Sequence, residues 1–374
     1  MSKLAIQPIP SQLFVEATLR PRPASQLPSG QAPHGPEPKC SRMGRAIHDH
    51  QVVAVTGASS GVGRAIARAF GALGARVGLI ARGLEGLEAC AQEILRAGGE
   101  ALVLPADVSD AAATESAARA LVDRWGRIDT WVNNAMVSVF SPATDMTPDE
   151  FRRVMEVNYL GTVHGTLAAL RHMQLVNQGV ILQVGSALVY RSIPLQSAYC
   201  ASKAAIRGFT DSLRCELLHD GSNVRLCMLQ LPAVNTPQFD VVRTRLPCHP
   251  KPLPPIFQPE LIARAALHAA QHPSPEIWVG WSAAKAIIGQ KFIARLLDRY
   301  LAHIGYHAQQ DKRPVSPGRP DNLNTPLSGD RGAHGGFDAE AKHRSAELWI
   351  RLHRGALALA AVALGVVTVR TLRA

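Results

Sequence analysis

Short apolar runs alternate with longer stretches of helical periodicity from about residue 51 onward. The runs are almost continuously apolar, which is typical of strands that helices cover on both faces. They predict seven strands, at residues 52–56, 76–81, 101–105, 128–133, 180–185, 224–230 and 276–279. Stretches such as 63–74 and 84–97 are rich in Ala, Leu, Arg and Glu and predict helices. This alternation predicts an α/β fold with a doubly wound parallel sheet and right-handed crossovers.

The chain divides into three predicted regions. Residues 1–47 form a Pro-rich N-terminal segment with eight prolines in its first 38 positions. Because proline fixes φ and lacks an amide hydrogen, we expect this segment to be disordered, and Met43 offers an alternative translation start. Residues 48–280 hold the whole strand and helix pattern and predict one folded domain. Residues 281–374 form a basic C-terminal extension.

The extension itself has three predicted parts. Residues 285–303 have the periodicity of an amphipathic helix. Residues 307–345 are rich in Gly, Pro, Asp and Arg, which indicates a flexible loop or disorder. Residues 355–369 are uncharged and mostly apolar, and would span roughly 22 Å as a helix, short of a bilayer core of about 30 Å. We leave open whether this part anchors the chain in a membrane, lies on its surface or packs on the protein, with residues 348–374 as the candidate membrane contact.

The net charge of +11 is confined to the two ends of the chain. Residues 48–280 contain 20 Lys and Arg against 20 Asp and Glu, so the folded domain is neutral. A neutral domain argues against binding to nucleic acid. The six cysteines form no CxxC pair, which favours a reducing compartment over a structural zinc site. With no secretory signal pattern, a cytoplasmic protein is expected.

A glycine-rich turn follows the first predicted strand and precedes a helix. Its sequence is Thr56-Gly57-Ala58-Ser59-Ser60-Gly61-Val62-Gly63. The glycines would let the backbone approach a pyrophosphate, and the helix N-terminus would offer free N–H groups. The spacing is GxxxGxG rather than GxGxxG. A purely structural turn is the alternative, but the position between strand and helix favours nucleotide binding.

The end of the second strand bears on which dinucleotide binds. A carboxylate there would bind the ribose of NAD, but the sequence reads Ile80-Ala81-Arg82-Gly83. The fork of donors on Arg82 suits a 2′-phosphate, so NADP is favoured over NAD unless Arg82 is only a solvated charge. Asp107, after the third strand, would meet the adenine edge or serve as a helix cap or turn residue.

Tyr199 and Lys203 lie four residues apart in a predicted helix and therefore share a face. A tyrosine near pKa 10 is a poor acid or base at pH 7, but a neighbouring ammonium would lower its pKa. The pair then suits proton transfer between a carbonyl and an alcohol. Ser186 would bind the substrate oxygen or serve as a turn residue. Asn158 would, on the simplest interpretation, cap or kink a helix.

In this order, these motifs resemble the short-chain dehydrogenase/reductase family over about residues 48–280. The matching positions are the turn Thr56–Gly63, Asp107-Val108, Asn133-Asn134-Ala135, Asn158, Ser186, Tyr199, Lys203, Pro232 and Thr236. The set is far more specific than any one member. It departs from the family pattern at Met136 and Ala233, where the family has glycine, and both put side-chain volume near the nicotinamide end.

The resemblance implies a hydride-transferring oxidoreductase with assigned residue roles. Tyr199 would donate or accept the proton, Lys203 would lower its pKa and hold the nicotinamide ribose, and Ser186 would polarise the carbonyl. Asn158 would hold a water that extends a proton relay. Thr236 would contact the nicotinamide carboxamide. Family members pair through helices at about 150–172 and 199–218 into dimers or tetramers.

The substrate is less determined than the chemistry. The variable loop at 237–258 contains six prolines, which indicates a stiff lid. Apolar residues that would line the pocket or simply pack the core are Val139, Phe140, Leu188, Val189 and Ile193. They favour an apolar carbonyl or secondary alcohol over a sugar. The alternative function is a non-catalytic NADP-binding sensor or scaffold of the same fold.

Overall fold

The computed structural model describes residues 50–280, 289–353 and 355. The predicted N-terminal segment, with its alternative start, lies outside the described residues, as does the apolar run 355–369 apart from Gly355.

The described residues contain thirteen strands and ten complete α-helices. In chain order the strands are β1 (Val52–Thr56), β2 (Arg76–Ala81), β3 (Glu100–Pro105), β4 (Thr130–Asn133), β5 (Val139–Phe140), β6 (Gly179–Val184), β7 (Val224–Gln230), β8 (Ala233–Val234), β9 (Arg243–Thr244), β10 (Cys248–Pro250), β11 (Ile256–Phe257), β12 (Glu276–Trp278) and β13 (Gln310–Pro314). The helices are α1 (Gly61–Gly71), α2 (Leu84–Arg96), α3 (Ala111–Trp125), α4 (Pro148–Met155), α5 (Gly161–Met173), α6 (Ser197–His219), α7 (Gln238–Val241), α8 (Pro259–Gln271), α9 (Ala294–Ala308) and α10 (Ala346–Leu352).

Seven of the strands form one parallel sheet in the order β12-β7-β6-β4-β1-β2-β3. The predicted doubly wound parallel sheet of about seven strands is therefore confirmed, and each strand starts within two residues of its predicted position. The strand order reverses between β1 and β4. Because ligands of such folds bind where the order reverses, at the carboxyl ends of the strands, this edge positions the site.

Helices cover both faces of the sheet. Side chains of α1, α2 and α8 pack on one face, where Ile66, Phe70, Leu87, Ile94 and Ile262 are fully buried. Side chains of α3, α5 and α6 pack on the other face, with Leu121, Trp131, Met173 and Leu217 in that core. Burial on both faces explains why the strands are almost continuously apolar.

The helix predicted at 285–303 differs from the observed one. The structure has α9 at Ala294–Ala308, and residues 281–288 lie outside the described part of the chain. Residues 289–292 are also helical, and Ile293, with φ −131° and ψ 34°, lies outside the helical region and interrupts the helix before α9 begins. Leu301 and Gly305 are buried on the inner face of α9. A Cβ added to Gly305 would lie 2.7 Å from Pro194.

Residues 307–345 are not the flexible loop or disordered segment that the sequence predicts, because they pack on the folded domain. They contain β13, which pairs antiparallel with β10, and they bury Leu323, Ala333, Phe337 and Ala341 in the folded domain. We call residues 319–341 the strap. The buried side chains of the strap follow neither a helical nor a strand period, so the segment is irregular. Each of them nevertheless packs in one of the hydrophobic clusters of the folded domain.

Among the residues that the structure describes, no helix is long and apolar enough to cross a membrane.

Candidate active site

The glycine-rich turn has a shape that only glycine can adopt. Gly57 has φ +68°, and its N–H donates to the carbonyl oxygen of Ile80 at 2.7 Å. A Cβ on Gly63 would lie 2.2 Å from the Gly57 carbonyl oxygen and 2.4 Å from Asn134 Nδ2. Asn134 Nδ2 also donates to the carbonyl oxygen of Thr56 at 2.9 Å. Asn134 and Gly63 therefore fix the turn that ends at α1.

One cavity of about 800 Å³ runs along the carboxyl edge of the sheet. It brings together nearly all the predicted site residues: Gly57, Ser59, Ser60, Gly61, Val62, Arg82, Asp107, Val108, Asn134, Ala135, Ser186, Leu188, Ile193, Tyr199, Lys203, Pro232 and Thr236. Gly63 and Asn158 stand behind this lining rather than in it. The volume and the glycine turn at one end fit a dinucleotide.

Arg82 lies at the cavity end where the adenosine ribose of a dinucleotide would bind, but it has partners that the sequence did not predict. Its NH1 group donates to the carbonyl oxygens of Leu323 at 3.3 Å and Asn324 at 2.9 Å, and its NH2 group donates to that of Asn322. A guanidinium has five N–H donors, so Nε–H and one NH2 hydrogen remain for a ligand. Burial lowers the pKa of Arg82. The strap thus orients Arg82.

The Asp107 carboxylate accepts hydrogen bonds from two other residues of the protein. Its Oδ1 accepts from the Ser109 amide at 3.0 Å and from the Ser109 hydroxyl at 2.8 Å, and its Oδ2 accepts from Arg153. Burial alone would raise the pKa of this carboxyl, but these hydrogen bonds outweigh burial and lower it. Asp107 therefore stabilises a turn and pairs with Arg153 while it also lines the cavity, and its contact with the adenine edge stays a prediction.

Tyr199 lies on α6, half-buried beside Ser186. Burial raises its pKa to about 12, and the hydrogen bond with Ser186 acts in the opposite direction. The net shift is therefore upward, opposite to the lowering expected from the neighbouring ammonium, because the loss of hydration outweighs the contact with Ser186. Ser186, whose Oγ accepts from the Leu188 amide at 3.2 Å, caps a 3₁₀ turn at Ala187–Val189.

Lys203 is 3% exposed and lies one helical turn from Tyr199. Its Nζ donates to the carbonyl oxygen of Val184 at 2.7 Å and stands 5.7 Å from the centre of the Tyr199 ring. Burial lowers the pKa of Lys203 to about 8. In the described part of the chain this ammonium has no carboxylate within salt-bridge distance, so its charge is available to the cavity.

Asn158 lies in a π-helical turn at Glu156–Leu160 and is fully buried. Its Oδ1 accepts from the Val137 amide at 2.8 Å, and its Nδ2 donates to the Val137 carbonyl oxygen at 3.0 Å and to Ser202 Oγ at 2.9 Å. The side chain thus links the segment after β4 to α6. The predicted water relay stays a prediction.

The substrate end of the cavity is apolar, and part of its wall comes from the C-terminal extension. Phe140, Leu188 and Ile193 line it as predicted, whereas Val139 packs in the core and Val189 is outside the lining. Phe239, Pro252, Leu253 and Pro254 line it from the loop predicted at 237–258, whereas the residues missed from the sequence are Ser138, Leu297, Tyr300 and Leu301. The inward positions 297, 301 and 305 of α9 follow helical spacing, which was the available signal.

The strap provides the wall at the opposite end of the cavity. Pro326, Leu327, Ser328, Gly329 and Arg331 line it next to the residues that follow β2. No periodicity or motif in this irregular segment could have predicted that position.

Comparisons with known proteins agree with this geometry. The sequence model of the family described as short chain dehydrogenase matches residues 51–246. The uncharacterized oxidoreductase YxnA of Bacillus subtilis is 35% identical over 327 residues, which cover 85% of this chain and 89% of that protein. Such coverage exceeds what residues 1–280 alone provide, so the similarity reaches into the C-terminal extension. Human dehydrogenase/reductase SDR family member 7 is 44% identical over 44% of this chain and 50% of its own length.

Two solved structures share the fold. An alcohol dehydrogenase from Thermococcus sibiricus complexed with 5-hydroxy-NADP has a TM-score of 0.54 and 28% identity, covering 62% of this chain and 96% of its own. A metagenomic short-chain oxidoreductase in complex with NADP has a TM-score of 0.53 and 31% identity, covering 63% and 98%.

Proposed function

Because the chain belongs to the short-chain dehydrogenase/reductase family and is an NAD(P)-dependent oxidoreductase, we propose that it interconverts an apolar carbonyl compound and its secondary alcohol with NADP(H). The observation that carries this proposal is the single cavity that contains the glycine turn, Arg82, Ser186, Tyr199 and Lys203. When bound, the nicotinamide cofactor supplies the hydride chemistry. The chain's own residues bind the reactants and move the proton.

In the proposed reaction Tyr199 Oη gives its proton to the substrate oxygen during reduction and takes it back during oxidation. The Ser186 hydroxyl donates to the same oxygen and orients it. With a pKa of about 8, Lys203 is mostly protonated at neutral pH and stabilises the phenolate that Tyr199 leaves behind. Ser186 and Lys203 are buried and Tyr199 is half-buried, which strengthens these electrostatic effects.

The proposed preference for NADP rests on the charge at the end of β2. Arg82 keeps two N–H donors for a 2′-phosphate, and no acid occupies the position at which NAD-binding relatives of this fold hold the ribose. Glu85 lines the same end, but it accepts a hydrogen bond from the Gly329 amide. The strap therefore engages Glu85, and the other carboxylate at this end, Asp107, is held by Ser109 and Arg153.

The proposed substrate is apolar because both sides of its pocket are apolar. Leu188 and Ile193 face the cavity from one side, and Leu297 and Leu301 of α9 from the other. Arg191 also lines it, but its charge is paired with Asp298. A polyhydroxylated substrate would find few partners for its hydroxyl groups on these walls.

We also propose that the protein forms a homodimer or homotetramer through α5 and α6. Leu160, Leu167 and Leu218 are between 40% and 67% exposed on or beside these helices. Exposed leucines on neighbouring helices indicate a surface that a second copy would cover. Light scattering of the purified chain measures the mass directly, and a monomer at micromolar concentration would contradict this part.

The first experiment titrates the full-length chain with NADPH and NADH and follows nicotinamide fluorescence. We expect tight binding of NADPH and binding of NADH that is at least about 10-fold weaker, the ratio that one charge-assisted contact gives. Equal affinities would contradict the preference for NADP, and binding of neither nucleotide would contradict the oxidoreductase assignment.

The second experiment separates the enzyme from a non-catalytic NADP-binding scaffold. A panel of apolar ketones and aldehydes is assayed with the wild type, Tyr199→Phe and the control Tyr306→Phe, whose tyrosine lies on α9 and is 43% exposed. We expect Tyr199→Phe to abolish turnover while NADPH affinity stays within a few-fold, and Tyr306→Phe to remain active. Retained activity in Tyr199→Phe would overturn the proposed role, and an inactive wild type that binds NADPH would favour the scaffold.

A further inference from the structure

The strap crosses the adenosine half of the cavity as a wall. A Cβ on Gly83, directly after Arg82, would lie 3.6 Å from Pro326, and the Gly329 amide donates to Glu85. The cavity keeps its volume of about 800 Å³ with the strap in this position. The strap therefore lines the cleft and does not fill it.

Arg331 is held at the glycine turn by its neighbours on both sides. Asp330 forms an ion pair with Arg64 of α1, with NH2 to Oδ2 at 3.1 Å. The carbonyl oxygen of Gly332 accepts from the Gly61 amide at 3.0 Å, at the first residue of α1. These contacts place Arg331 beside the segment that the sequence assigns to the cofactor phosphates.

The charged side chains that line this end of the cavity are Arg82, Arg331, Glu85 and Asp107. Asp107 is paired with Arg153, and Glu85 accepts a hydrogen bond from the Gly329 amide. Arg82 and Arg331 are therefore the two cationic groups that this end presents to a phosphate. Among the described residues Arg331 makes one hydrogen bond, from NH2 to the Ser328 carbonyl oxygen at 3.3 Å, and no ion pair.

We propose that Arg331 is a phosphate-binding residue of the cofactor site, which the C-terminal extension contributes to the dinucleotide-binding domain. This inference rests on the proposed NADP-dependent function. The guanidinium keeps four N–H donors, and its planar fork matches two oxygens of one phosphate. The 2′-phosphate and the pyrophosphate share this chemistry, and NADH carries only the second.

The test compares Arg331→Gln and Arg331→Lys with Arg344→Gln, which removes the same charge from an exposed strap-flanking residue outside the cavity lining. Dissociation constants for NADPH and NADH are measured on the full chain by nicotinamide fluorescence, and thermal unfolding verifies the fold. We expect Arg331→Gln to weaken NADPH binding about 10-fold, as loss of one charge-assisted hydrogen bond predicts. Arg331→Lys should recover part of the loss, and Arg344→Gln should match the wild type.

The measurements with NADH show which phosphate Arg331 binds. An effect on NADPH alone assigns Arg331 to the 2′-phosphate, and an equal effect on both nucleotides assigns it to the pyrophosphate. Arg331→Gln affinities within twofold of wild type for both nucleotides would overturn the inference while leaving the proposed function intact. A wild type that binds neither nucleotide would overturn both.

Discussion

Arg64 and Asp330, 266 positions apart in the chain, form a two-point ion pair that joins the strap to the helix after the glycine turn. The Arg64 side chain is 2% exposed, and its Nε also donates to Glu93 on α2 at 3.0 Å. The pair with Arg64 lowers the pKa of Asp330. A buried guanidinium needs such carboxylates, because an uncompensated charge in the interior is costly.

We therefore expect Asp330→Asn to lower the free energy of unfolding by about 1 kcal/mol, a value that allows for the 43% exposure of the Asp330 side chain. Since its folded pKa is depressed, Asp330 contributes stability above its unfolded pKa, and this contribution is lost as pH falls through the folded value. Chemical denaturation at neutral and acidic pH measures both effects, with the exposed Glu340→Gln as control. Equal losses in the two variants would show that the ion pair contributes nothing.

Gly335 and Gly336 are neighbours in the strap with opposite surroundings. A Cβ on Gly335 would lie 2.3 Å from the carbonyl oxygen of Thr236, whereas a Cβ on Gly336 would meet nothing within 4 Å. We expect Gly335→Ala to cost about 1–3 kcal/mol of stability and to weaken NADPH binding, because either the strap or Thr236 must move. Gly336→Ala should leave both unchanged. Thermal unfolding and fluorescence titration of the two variants decide, and indistinguishable behaviour would contradict the packing of the strap on Thr236.

His334 connects the strap to α8 through two carboxylates. Its Nδ1 is 2.8 Å from Asp338 Oδ1, and its Nε2 is 2.8 Å from Glu260 Oε1. Burial alone would lower the pKa of His334, but the two carboxylates outweigh burial and raise it. A raised folded pKa means that the stabilisation is complete below the unfolded value of about 6.5 and is lost as pH rises through the folded value.

We expect the difference in unfolding free energy between wild type and His334→Gln to be about 0.5–1 kcal/mol at pH 6, a value reduced for the partial exposure of all three side chains. At pH 9 the difference should vanish. Denaturant titrations at the two pH values measure it, with His303→Gln on α9 as a control. A difference that does not change with pH would mean that His334 acts by packing rather than by charge.

The sheet and the glycine turn could be predicted because their signals are local. Each strand is one apolar run. Gly57 has a positive φ, and a Cβ on Gly63 would collide with the Gly57 carbonyl oxygen of the same turn. Tyr199 and Lys203 share a helix, so their spacing alone places them on one face. Each of these inferences needed only a short window of sequence.

The strap could not be predicted because its contacts are not local. Arg82 meets carbonyl oxygens about 240 positions later, and the buried Leu323 and Phe337 stand in a Gly- and Pro-rich segment with no period. Such a composition is typical of loops that run over a surface. The pKa of Tyr199 also escaped prediction, because spacing gives its neighbour but not the extent of its burial.

The electrostatic relation of Lys203 to Tyr199 gives a pH dependence for the reaction. Lys203 has a pKa lowered by burial to about 8, whereas that of Tyr199 is raised to about 12. Tyr199 therefore holds its proton throughout the neutral range, and the titrating group is Lys203. As pH rises through about 8 the ammonium becomes neutral and no longer stabilises the phenolate. We expect kcat/KM for carbonyl reduction to fall over this range in the wild type.

Lys203→Arg keeps the charge at high pH because a guanidinium does not titrate there. We expect this variant to lose the inflection near pH 8. It should also have lower activity, since the guanidinium group does not reproduce the hydrogen bond from Lys203 Nζ to the Val184 carbonyl oxygen. Lys203→Met should lose most of the activity at every pH. Steady-state kinetics from pH 6 to 10, with NADPH saturating at each pH, separates these outcomes from changes in cofactor binding. An inflection near pH 8 that persists in Lys203→Arg would assign it to another group and contradict this role of Lys203.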